Sequence, residues 1–383
     1  MTPLRSTVVD VDLDAVAANL QAVGAGHPAI AVVKADAYGH GAEVVSRALV
    51  EAGAIALGVF TVEEGLVLRR SAIEAPILVL GGLSDPGEAD AAVGAGLSVA
   101  VWDERAARAL DEAARMAGAR ALVQVKVDTG LTRLGAPAEQ ALERYARISA
   151  LPALDVEGIF THFASADVPG DTTAREQAEL FARLVRALPE RPRLVHASNS
   201  AAAVVQGAGP ECNALRPGIA LYGLNPAPHL ASIELRPALR WTSRIQRIVK
   251  AQRGTGVGYG HEYRLPREGL VATVPVGYGD GLQRAARHAA VLVRGARVPI
   301  AGRVAMDLIT LDVTGLHGVR EGDEVVLIGE QGGARVSAED LAEAAGTNNY
   351  EVVTALRRLM PRRYFRGGRL VATRTLAGGV AWA

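Results

Sequence analysis

The chain has 383 residues, of which 49% are apolar and 21% are charged, so its length and composition fit two globular domains and exclude a fibrous or disordered protein. Its 41 basic residues balance its 41 acidic residues, which argues against a protein that binds nucleic acid through the phosphates. The single cysteine, Cys212, excludes an internal disulfide. The sequence shows neither an apolar signal segment nor an apolar run of membrane-spanning length. We therefore expect a cytoplasmic protein without nucleic-acid or membrane partners.

The two parts of the chain carry opposite net charge. Residues 1–233 contain 19 basic and 27 acidic side chains, a net charge of −8, whereas residues 234–383 contain 22 and 14, a net charge of +8. Two solvated surfaces of opposite sign explain this asymmetry. The packing of the first part of one chain against the second part of another chain explains it equally well.

Between residues 29 and 223, short apolar segments alternate with amphipathic segments. This alternation is typical of parallel strands that are buried on both faces and separated by helices. Eight such units close into a (β/α)8 barrel, which we assign to residues 1–233. A capping box at Thr61–Glu64 supports a helix after the second strand. The predicted strands are Ala29–Val33, Ile55–Phe60, Ile77–Leu80, Leu97–Val101, Leu122–Val127, Val156–Thr161, Leu194–His196 and Ala214–Tyr222.

From about residue 234 the sequence contains short β-rich segments without helices between them, which predicts a mainly antiparallel β domain over residues 234–383. Gly295 marks a hairpin turn, and two late helices are predicted at Ala338–Ala345 and Tyr350–Leu359. The predicted strands are Trp241–Val249, Leu270–Val276, Ala290–Val293, Val298–Ile300, Leu308–Val313 and Glu324–Ile328.

Lysine is rare in this chain: Lys34, Lys126 and Lys250 are the only three among 41 basic residues. The first two stand near the ends of predicted barrel strands, where the reactive residues of such barrels lie. Desolvation there favours a neutral amine, and a neutral amine can attack a carbonyl group. A lysine that extends to solvent at the barrel rim is the alternative for Lys34.

Polar residues also follow the last two predicted barrel strands, where such barrels often bind phosphate. Ser200 offers a hydroxyl and Gly218 permits close approach of the backbone, although a helix cap explains Ser200 as well. No spacing of histidine and acidic residues matches a metal site, so no metal is expected. The arginine run from Arg357 to Arg366 fits a solvated or interface face.

Lys126 and Arg133 are two cations seven residues apart across one strand end. Two unmodified positive charges there would repel each other. A carbamate on Lys126 would convert this repulsion into a charge-assisted pair. A plain ammonium group paired with Asp128 or with another acidic residue is the alternative.

Nine segments, in their order and spacing, make nearly the whole chain resemble alanine racemase, the fold-type III enzyme that uses pyridoxal 5'-phosphate (PLP). The segments are Val-Val-Lys34-Ala-Asp-Ala-Tyr38-Gly-His-Gly, Lys126-Val-Asp-Thr-Gly-Leu-Thr-Arg133-Leu-Gly, Thr-His162-Phe-Ala, His196-Ala-Ser-Asn-Ser200, Arg216-Pro-Gly-Ile-Ala-Leu-Tyr-Gly, Gly-Tyr259-Gly, Gly-Tyr278-Gly-Asp-Gly, Gly-Arg303-Val-Ala-Met306-Asp and Asn-Tyr350-Glu.

The resemblance implies two catalytic residues in a head-to-tail homodimer with shared active sites. Lys34 would hold the PLP cofactor and act as one base, and Tyr259 of the partner subunit would be the opposite base. Arg216 would bind the pyridine nitrogen, with His162 behind it. The phosphate would be held by Tyr38, Ser200, Gly218, Ile219 and Tyr350.

The resemblance also implies how the substrate is bound. Arg133 and the backbone of Met306 would meet the substrate carboxylate, and Lys126 would be carbamylated and steady Arg133. The channel through which substrate enters would be lined by Tyr278, Arg303, Asp167 and Arg284.

The activity that follows from the resemblance is the interconversion of L-alanine and D-alanine, which supplies D-alanine for peptidoglycan. Removing a proton from one face and returning one to the other requires a base on each side, which fits a lysine and a tyrosine. Three alternatives remain. The first is a racemase of serine or of a broader set of amino acids, since Asn348 stands where the family usually has isoleucine. The others are a non-catalytic PLP-binding protein and an aldolase that uses Lys34 without PLP.

Overall fold

The structure, a computed structural model, describes residues 4–230, 233–358 and 360–383. The chain divides into two compact units. The first, the barrel unit, contains Val16–Ala37 and Val45–Arg236, and the second, the β unit, contains residues 4–15, Tyr38–Val44 and Pro237–Ala383. None of the helices that the structure describes has both the length and the apolar character needed to cross a bilayer.

The barrel unit is built on parallel strands that are almost fully buried, as the continuous apolar segments predict. Each strand pairs with the next along the chain, beginning with Ile30 opposite Ala56. The predicted α/β barrel fold is therefore confirmed. The strands are Ile30–Val32, Ala56–Val59, Ile77–Val79, Ser98–Val101, Ala121–Asp128, Leu154–Phe160 and Leu194–His196, with Ala136–Pro137 paired to the end of Ala121–Asp128.

The eighth predicted strand, Ala214–Tyr222, is wrong in extent. Only isolated bridges form here: Ala214 pairs with His196 and Leu215 pairs with Ala29, which closes the ring of strands. Pro217 has no N–H to continue the ladder, and the chain then turns into the 3-10 helix Ile219–Tyr222. The Tyr222 hydroxyl donates to the Val32 carbonyl at 2.9 Å, which ties this helix to the first barrel strand.

Helices follow the strands as predicted, and the capping box at Thr61 is present. The Thr61 hydroxyl accepts the Glu64 N–H at 3.2 Å. Two helices, Leu13–Gly24 and Ala42–Glu51, begin in the β unit and end in the barrel unit. The α-helices that lie within the barrel unit are Val62–Arg70, Ala89–Gly94, Glu104–Met116, Ala141–Ser149, Thr173–Arg186 and Ser200–Gln206.

The β unit is mainly antiparallel, as predicted, but it includes a strand from residues 1–233, the range expected to form the barrel. Val8–Asp12 pairs with Leu239–Arg244 on one side and with Arg362–Arg366 on the other. The predicted strand Trp241–Val249 is divided, because Leu239–Arg244 and Arg247–Ala251 belong to different sheets. The buried Trp241 lies in the first of them.

The predicted hairpin at Gly295 is present between Ala290–Val293 and Ala296–Pro299. Its two turn residues, Arg294 and Gly295, have φ of 54° and 80°, as a tight hairpin of this hand requires. The further strands are Gly256–Val257, Tyr263–Arg264, Gly269–Val274, Ile309–Asp312, Glu324–Gln331, Ala334–Val336, Arg369–Thr375 and Gly379–Trp382.

The helix Ala338–Ala345 has the predicted bounds, whereas the last helix is shorter than predicted and covers Asn349–Thr354. Its predicted end, Leu359, lies outside the described residues. Beyond the helix, the buried Arg362 guanidinium donates to the carbonyls of Leu356, Arg357 and Met360 and also to that of Gly39. Arg362 thus joins the end of the last helix to the segment that follows Tyr38.

Candidate functional site

The predicted reactive residues of the barrel unit gather at the carboxyl ends of its strands, where barrels of this type place their active sites. Lys34 follows the first strand, Lys126 lies near the end of the fifth, and His162 follows the sixth. His196 ends the seventh strand, and Arg216 follows the bridges that close the ring.

Lys34 is largely enclosed, and its Nζ lies 5.8 Å from the centre of the Phe60 ring. Burial lowers the pKa of Lys34, the charge of Arg133 lowers it further, and the Glu64 carboxylate opposes both. The neutral amine is therefore more accessible here than in a solvated lysine, which favours a reactive lysine over a solvent-exposed one.

The backbone after Lys34 forms one left-handed turn, with φ of 52°, 58°, 53° and 51° at Ala35, Asp36, Ala37 and Tyr38. Residues other than glycine adopt this conformation at a cost of roughly 1–2 kcal/mol each. Glu64 supports the turn: one carboxylate oxygen accepts the Ala35 N–H and the other accepts the N–H of Phe60, both at 2.7 Å. The capping-box pattern identified Glu64 but did not reveal this second role.

Arg216 is buried, and neutral groups surround its guanidinium. Nη1 donates to His196 Nδ1 at 2.5 Å, and Nη2 donates to the carbonyls of Thr161 and Ala197 at 2.6 and 2.9 Å. Nη2 also lies 3.2 Å from His162 Nδ1. Among the described residues, Nε has no acceptor, so one donor of this fixed guanidinium is available to a ligand. Burial lowers the pKa of Arg216 to about 10, which still leaves it charged at neutral pH.

Both histidines beside Arg216 are held in the neutral form. Burial, followed by the charge of Arg216, lowers the pKa of His162 and of His196 well below the usual range. His196 also stacks on Phe160, with ring centres 4.9 Å apart. In the sequence His196 stands out only as part of a family segment, and nothing there indicates its contact with Arg216. Its position at a strand end was the available signal.

Lys126 lies between aromatic rings, with its Nζ 5.9 Å from the Trp102 ring centre and 5.6 Å from that of Phe160. Burial, followed by the charges of Arg216 and Arg133, lowers the pKa of Lys126 to about 8. In the part of the chain that the structure describes, Lys126 forms no ion pair.

Asp128, the alternative partner of Lys126, is occupied by the backbone. Its Oδ1 accepts the N–H groups of Gly130, Leu131 and Thr132, and its Oδ2 accepts that of Arg133 at 3.0 Å. Asp128 thereby shapes the loop that presents the exposed Arg133 beside Lys126. A direct Lys126–Asp128 pair is absent among the described contacts.

A set of backbone donors converges on Ser200. Its Oγ accepts the N–H of Gly218 at 2.8 Å and that of Ala220 at 3.3 Å, while Ile219 between them is buried. Ser200 begins the helix Ser200–Gln206, which is capped by Asn199. Backbone N–H groups that converge on one point in this way can also donate hydrogen bonds to a phosphate oxygen.

The β unit holds the other predicted phosphate ligands. The rings of Tyr38 and Tyr350 are 6.3 Å apart and tilted by 54°. Arg362 donates both to the Gly39 carbonyl, next to Tyr38, and to the Leu356 carbonyl, just after the helix that contains Tyr350. These two hydrogen bonds are consistent with the short distance between the two rings.

Tyr259 projects from a glycine-flanked turn, and 73% of its surface is exposed. Gly258 and Gly260 have φ of 66° and 72°, which favours glycine. The Arg303 guanidinium lies against Gly260, where an added Cβ would be 3.3 Å from Cζ, and it pairs with Glu262 at 2.5 Å. The turn therefore presents Tyr259 outward.

Met306 and Tyr278 belong to two loops of the β unit that are hydrogen-bonded to each other. The Tyr278 N–H donates to the Ala305 carbonyl, and the Gly279 N–H donates to that of Met306 at 2.8 Å. The Met306 N–H has no acceptor among the described residues and is available to a ligand. Arg284 in this unit and Asp167 in the barrel unit are both exposed.

The predicted site residues thus form two groups. The barrel unit contains Lys34, Lys126, Arg133, His162, Asp167, Ser200, Arg216, Gly218 and Ile219, and the β unit contains Tyr38, Tyr259, Tyr278, Arg284, Arg303, Met306 and Tyr350. The contact of His196 with Arg216 and the contact of Glu64 with Ala35 could not be read from the sequence, because the partners are 20 and 29 residues apart.

Family models of the alanine racemase N-terminal domain and C-terminal domain match residues 11–226 and 238–364. The alanine racemase of Symbiobacterium thermophilum is 43% identical over 371 residues, which cover 94% of this chain and 97% of that protein. The Bacillus anthracis alanine racemase crystallised with L-Ala-P has a TM-score of 0.90 at 35% identity, covering 98% of this chain and 99% of that one. A histidine racemase from Leuconostoc mesenteroides has a TM-score of 0.88 at 30% identity, covering 95% and 99%.

The neutral histidines make folding stability depend on pH. His162 and His196 stay neutral when folded but take up protons at about pH 6.5 when unfolded, so stability is complete above that pH and falls as the pH is lowered. Each contributes a slope of up to about 1.4 kcal/mol per pH unit. Thermal unfolding midpoints between pH 5 and pH 8 should show a weaker slope in a His196→Gln variant. A His317→Gln variant, changed at an exposed site, should keep the original slope, and an unaltered slope in both contradicts the argument.

Proposed function

The chain belongs to the alanine racemase family, whose enzymes depend on PLP, and we propose that Lys34 and Tyr259 are the two bases with which it interconverts L-alanine and D-alanine. The observation that carries this proposal is the enclosed Lys34 at a barrel strand end, with its pKa lowered by burial. The two alternatives without racemisation, a non-catalytic PLP-binding protein and an aldolase, are less well supported. The family models match both parts of the chain and not the barrel alone.

The donors in the barrel unit suit a PLP molecule in kind and number. The Lys34 amine is the group that would hold the cofactor, and the Ser200, Gly218 and Ile219 segment would bind its phosphate. Tyr38 and Tyr350 are the proposed further phosphate ligands. When bound, PLP withdraws electrons from the substrate Cα and so acidifies the α proton.

Arg216 would place its Nε–H toward the pyridine nitrogen. Its Nη groups are already held by His196, His162 and two carbonyls, so its position is fixed before a ligand arrives. Because Arg216 does not readily give up its proton, that nitrogen would accept a hydrogen bond and stay unprotonated. His162 supports Arg216 from the side.

Racemisation needs a proton acceptor on each face of the substrate. In the proposal, Lys34 takes or returns the α proton on one face, and the Tyr259 phenol of a partner subunit does so on the other. The exposure of Tyr259 on its outward turn leaves its hydroxyl accessible to a second chain. The net charges of −8 and +8 in the two parts of the sequence favour head-to-tail pairing of such chains.

The substrate carboxylate would be bound by Arg133 and by the N–H of Met306. A carbamate on Lys126 would face Arg133 as an anion. It forms only from a neutral amine, which the lowered pKa of Lys126, about 8, makes available. The occupation of Asp128 by four backbone N–H groups removes the simplest competing partner.

Tyr278, Arg303, Arg284 and Asp167 are the proposed lining of the channel that substrate enters. The proposed compartment is the cytoplasm, where the product D-alanine would serve peptidoglycan synthesis. A second candidate is racemisation of another amino acid, such as serine, or of a broader set. It is favoured by the histidine racemase that shares this fold and by the polar Asn348 near Tyr350.

The reaction can be tested by chiral chromatography of L-alanine incubated with the purified protein and PLP. D-alanine should appear, and Lys34→Ala should lower the rate by roughly a thousandfold or more, because it removes one base and the cofactor attachment. Lys250→Ala is the matched control, since this exposed lysine pairs with Glu268. Absence of D-alanine while serine is racemised would move the assignment to the second candidate.

Shared active sites can be tested by mixing two inactive variants. Lys34→Ala and Tyr259→Phe should each be nearly inactive, whereas a mixed dimer of the two contains one site with both bases intact. Coexpression should therefore restore about a quarter of the unmutated activity, as random pairing predicts. If both bases belonged to one chain, every site in the mixed dimer would lack a base and no activity would return.

The carbamate can be detected directly because the chain has only three lysines. After incubation with ¹³C-labelled bicarbonate, the carbon NMR spectrum should show a carbamate signal that disappears in Lys126→Arg. The signal should persist in Lys250→Arg. A spectrum without this signal in the unmutated protein, or one that survives in Lys126→Arg, contradicts the modification.

A further inference from the structure

A chain of buried hydrogen bonds extends from Arg216 across the strands of the barrel. Arg216 Nη1 lies 2.5 Å from His196 Nδ1, and His196 Nε2 lies 2.7 Å from Gln124 Oε1. Gln124 Nε2 donates to Glu157 Oε1 at 2.8 Å. The Gln124 and His196 side chains are buried, while 14% of the Glu157 side chain is exposed.

Glu157 and Arg216, at the two ends of this series of hydrogen bonds, determine the direction of every bond between them. Glu157 is a carboxylate and can only accept, so it binds the NH₂ group of Gln124 and turns the Gln124 oxygen toward His196. That oxygen also only accepts, so His196 must carry its proton on Nε2. Nδ1 is then unprotonated and accepts the N–H of Arg216.

The reverse arrangement is unfavourable at each contact. A rotated Gln124 amide would place its oxygen against the Glu157 carboxylate and its NH₂ against His196 Nε2. His196 would then carry its proton on Nδ1, and two donors would face each other across the 2.5 Å that separates it from Arg216. A buried donor without an acceptor costs about 1–3 kcal/mol.

We propose that Gln124 and Glu157 are positioning residues that fix the proton of His196 on Nε2, so that Arg216 is held with its Nε free for the ligand. Neither residue contacts the reacting atoms. The position of the Arg216 guanidinium depends on the His196 acceptor, and that acceptor depends on the orientation of the Gln124 amide. Burial and the Arg216 charge also lower the pKa of His196, which keeps the imidazole neutral and able to accept.

Four variants test this proposal in the PLP-loaded enzyme. Gln124→Met removes both hydrogen-bonding groups at nearly constant volume. Glu157→Gln removes the carboxylate that orients the amide. The double variant Q124E/E157Q exchanges the two groups: the carboxylate at position 124 accepts from His196 Nε2 and from the amide at position 157. The bond between the two positions is therefore reversed, while His196 Nε2 still faces a group that can only accept. The control, Arg193→Gln, removes the surface cation that lies 3.5 Å from Glu157 and 3.1 Å from Asp155.

Nitrogen-15 NMR of the histidine rings reports which nitrogen carries the proton, and a His196→Gln variant assigns the signal. His196 should be protonated on Nε2 in the unmutated protein, in the double variant and in the control. Gln124→Met and Glu157→Gln should show both tautomers. Their kcat/KM for alanine should fall about tenfold, the equivalent of one buried hydrogen bond, and the double variant should recover most of it.

The proposal is overturned if His196 stays protonated on Nε2 alone in both single variants, or if the double variant recovers no more activity than they do. Should Gln124→Met fail to fold, Glu157→Gln and the double variant still decide. The kinetic part rests on the proposed function, but the tautomer does not. An inactive unmutated protein with the expected tautomers would refute the proposed function and leave the role of Gln124 intact.

Discussion

The buried positive charge of Arg216 constrains which groups can lie at the carboxyl ends of the barrel strands, a region called the barrel mouth below. Its acceptors are two carbonyls and two imidazoles, and no carboxylate contacts it among the described residues. Lys34, Lys126 and Arg133 add three more basic groups to the same region. Glu64 and Asp128 are nearby acids, but backbone N–H groups occupy both. Anions are therefore required to balance this region, which fits a phosphate, a substrate carboxylate and a carbamate.

Burial and nearby positive charges together determine the protonation of the groups around Arg216. Burial is the largest cause that lowers the pKa of His162, His196, Lys34 and Lys126, and neighbouring cations lower it further. A lysine that serves as nucleophile and base needs this shift, and so does a lysine that forms a carbamate. For His162 and His196, the lowered pKa keeps the rings neutral, so that they can accept hydrogen bonds from Arg216. Burial and neighbouring cations thus favour the neutral form of several residues of the proposed site.

The backbone after Lys34 adopts an energetically costly left-handed conformation. The left-handed turn at Ala35–Tyr38 is held by the Glu64 carboxylate at its start, while Arg362 binds the Gly39 carbonyl just beyond its end. Its non-glycine residues fix the direction in which the chain leaves Lys34. Strained backbone of this kind persists where the surrounding contacts determine it, which is common beside functional residues.

The sequence alone determined the fold class and indicated the candidate reactive residues. Continuous apolar segments predicted eight barrel strands, of which seven are present, because strands buried on both faces have no polar alternation. The rarity of lysine drew attention to Lys34 and Lys126, and the capping box correctly located a helix at Thr61. The family segments supplied Arg216 and Tyr259, which local patterns would have left as ordinary polar residues.

Only the tertiary structure decided what these residues contact. The eighth strand was reduced to two bridges by Pro217, and Val8–Asp12 joined a sheet whose other strands lie more than 200 residues away in sequence. The links from Gln124 to Glu157, His196 and Arg216 span four separate segments of the barrel. No local sequence pattern encodes these contacts, because hydrogen bonds between side chains depend on which strands become neighbours. The neighbours of each strand are determined only when the ring of strands closes.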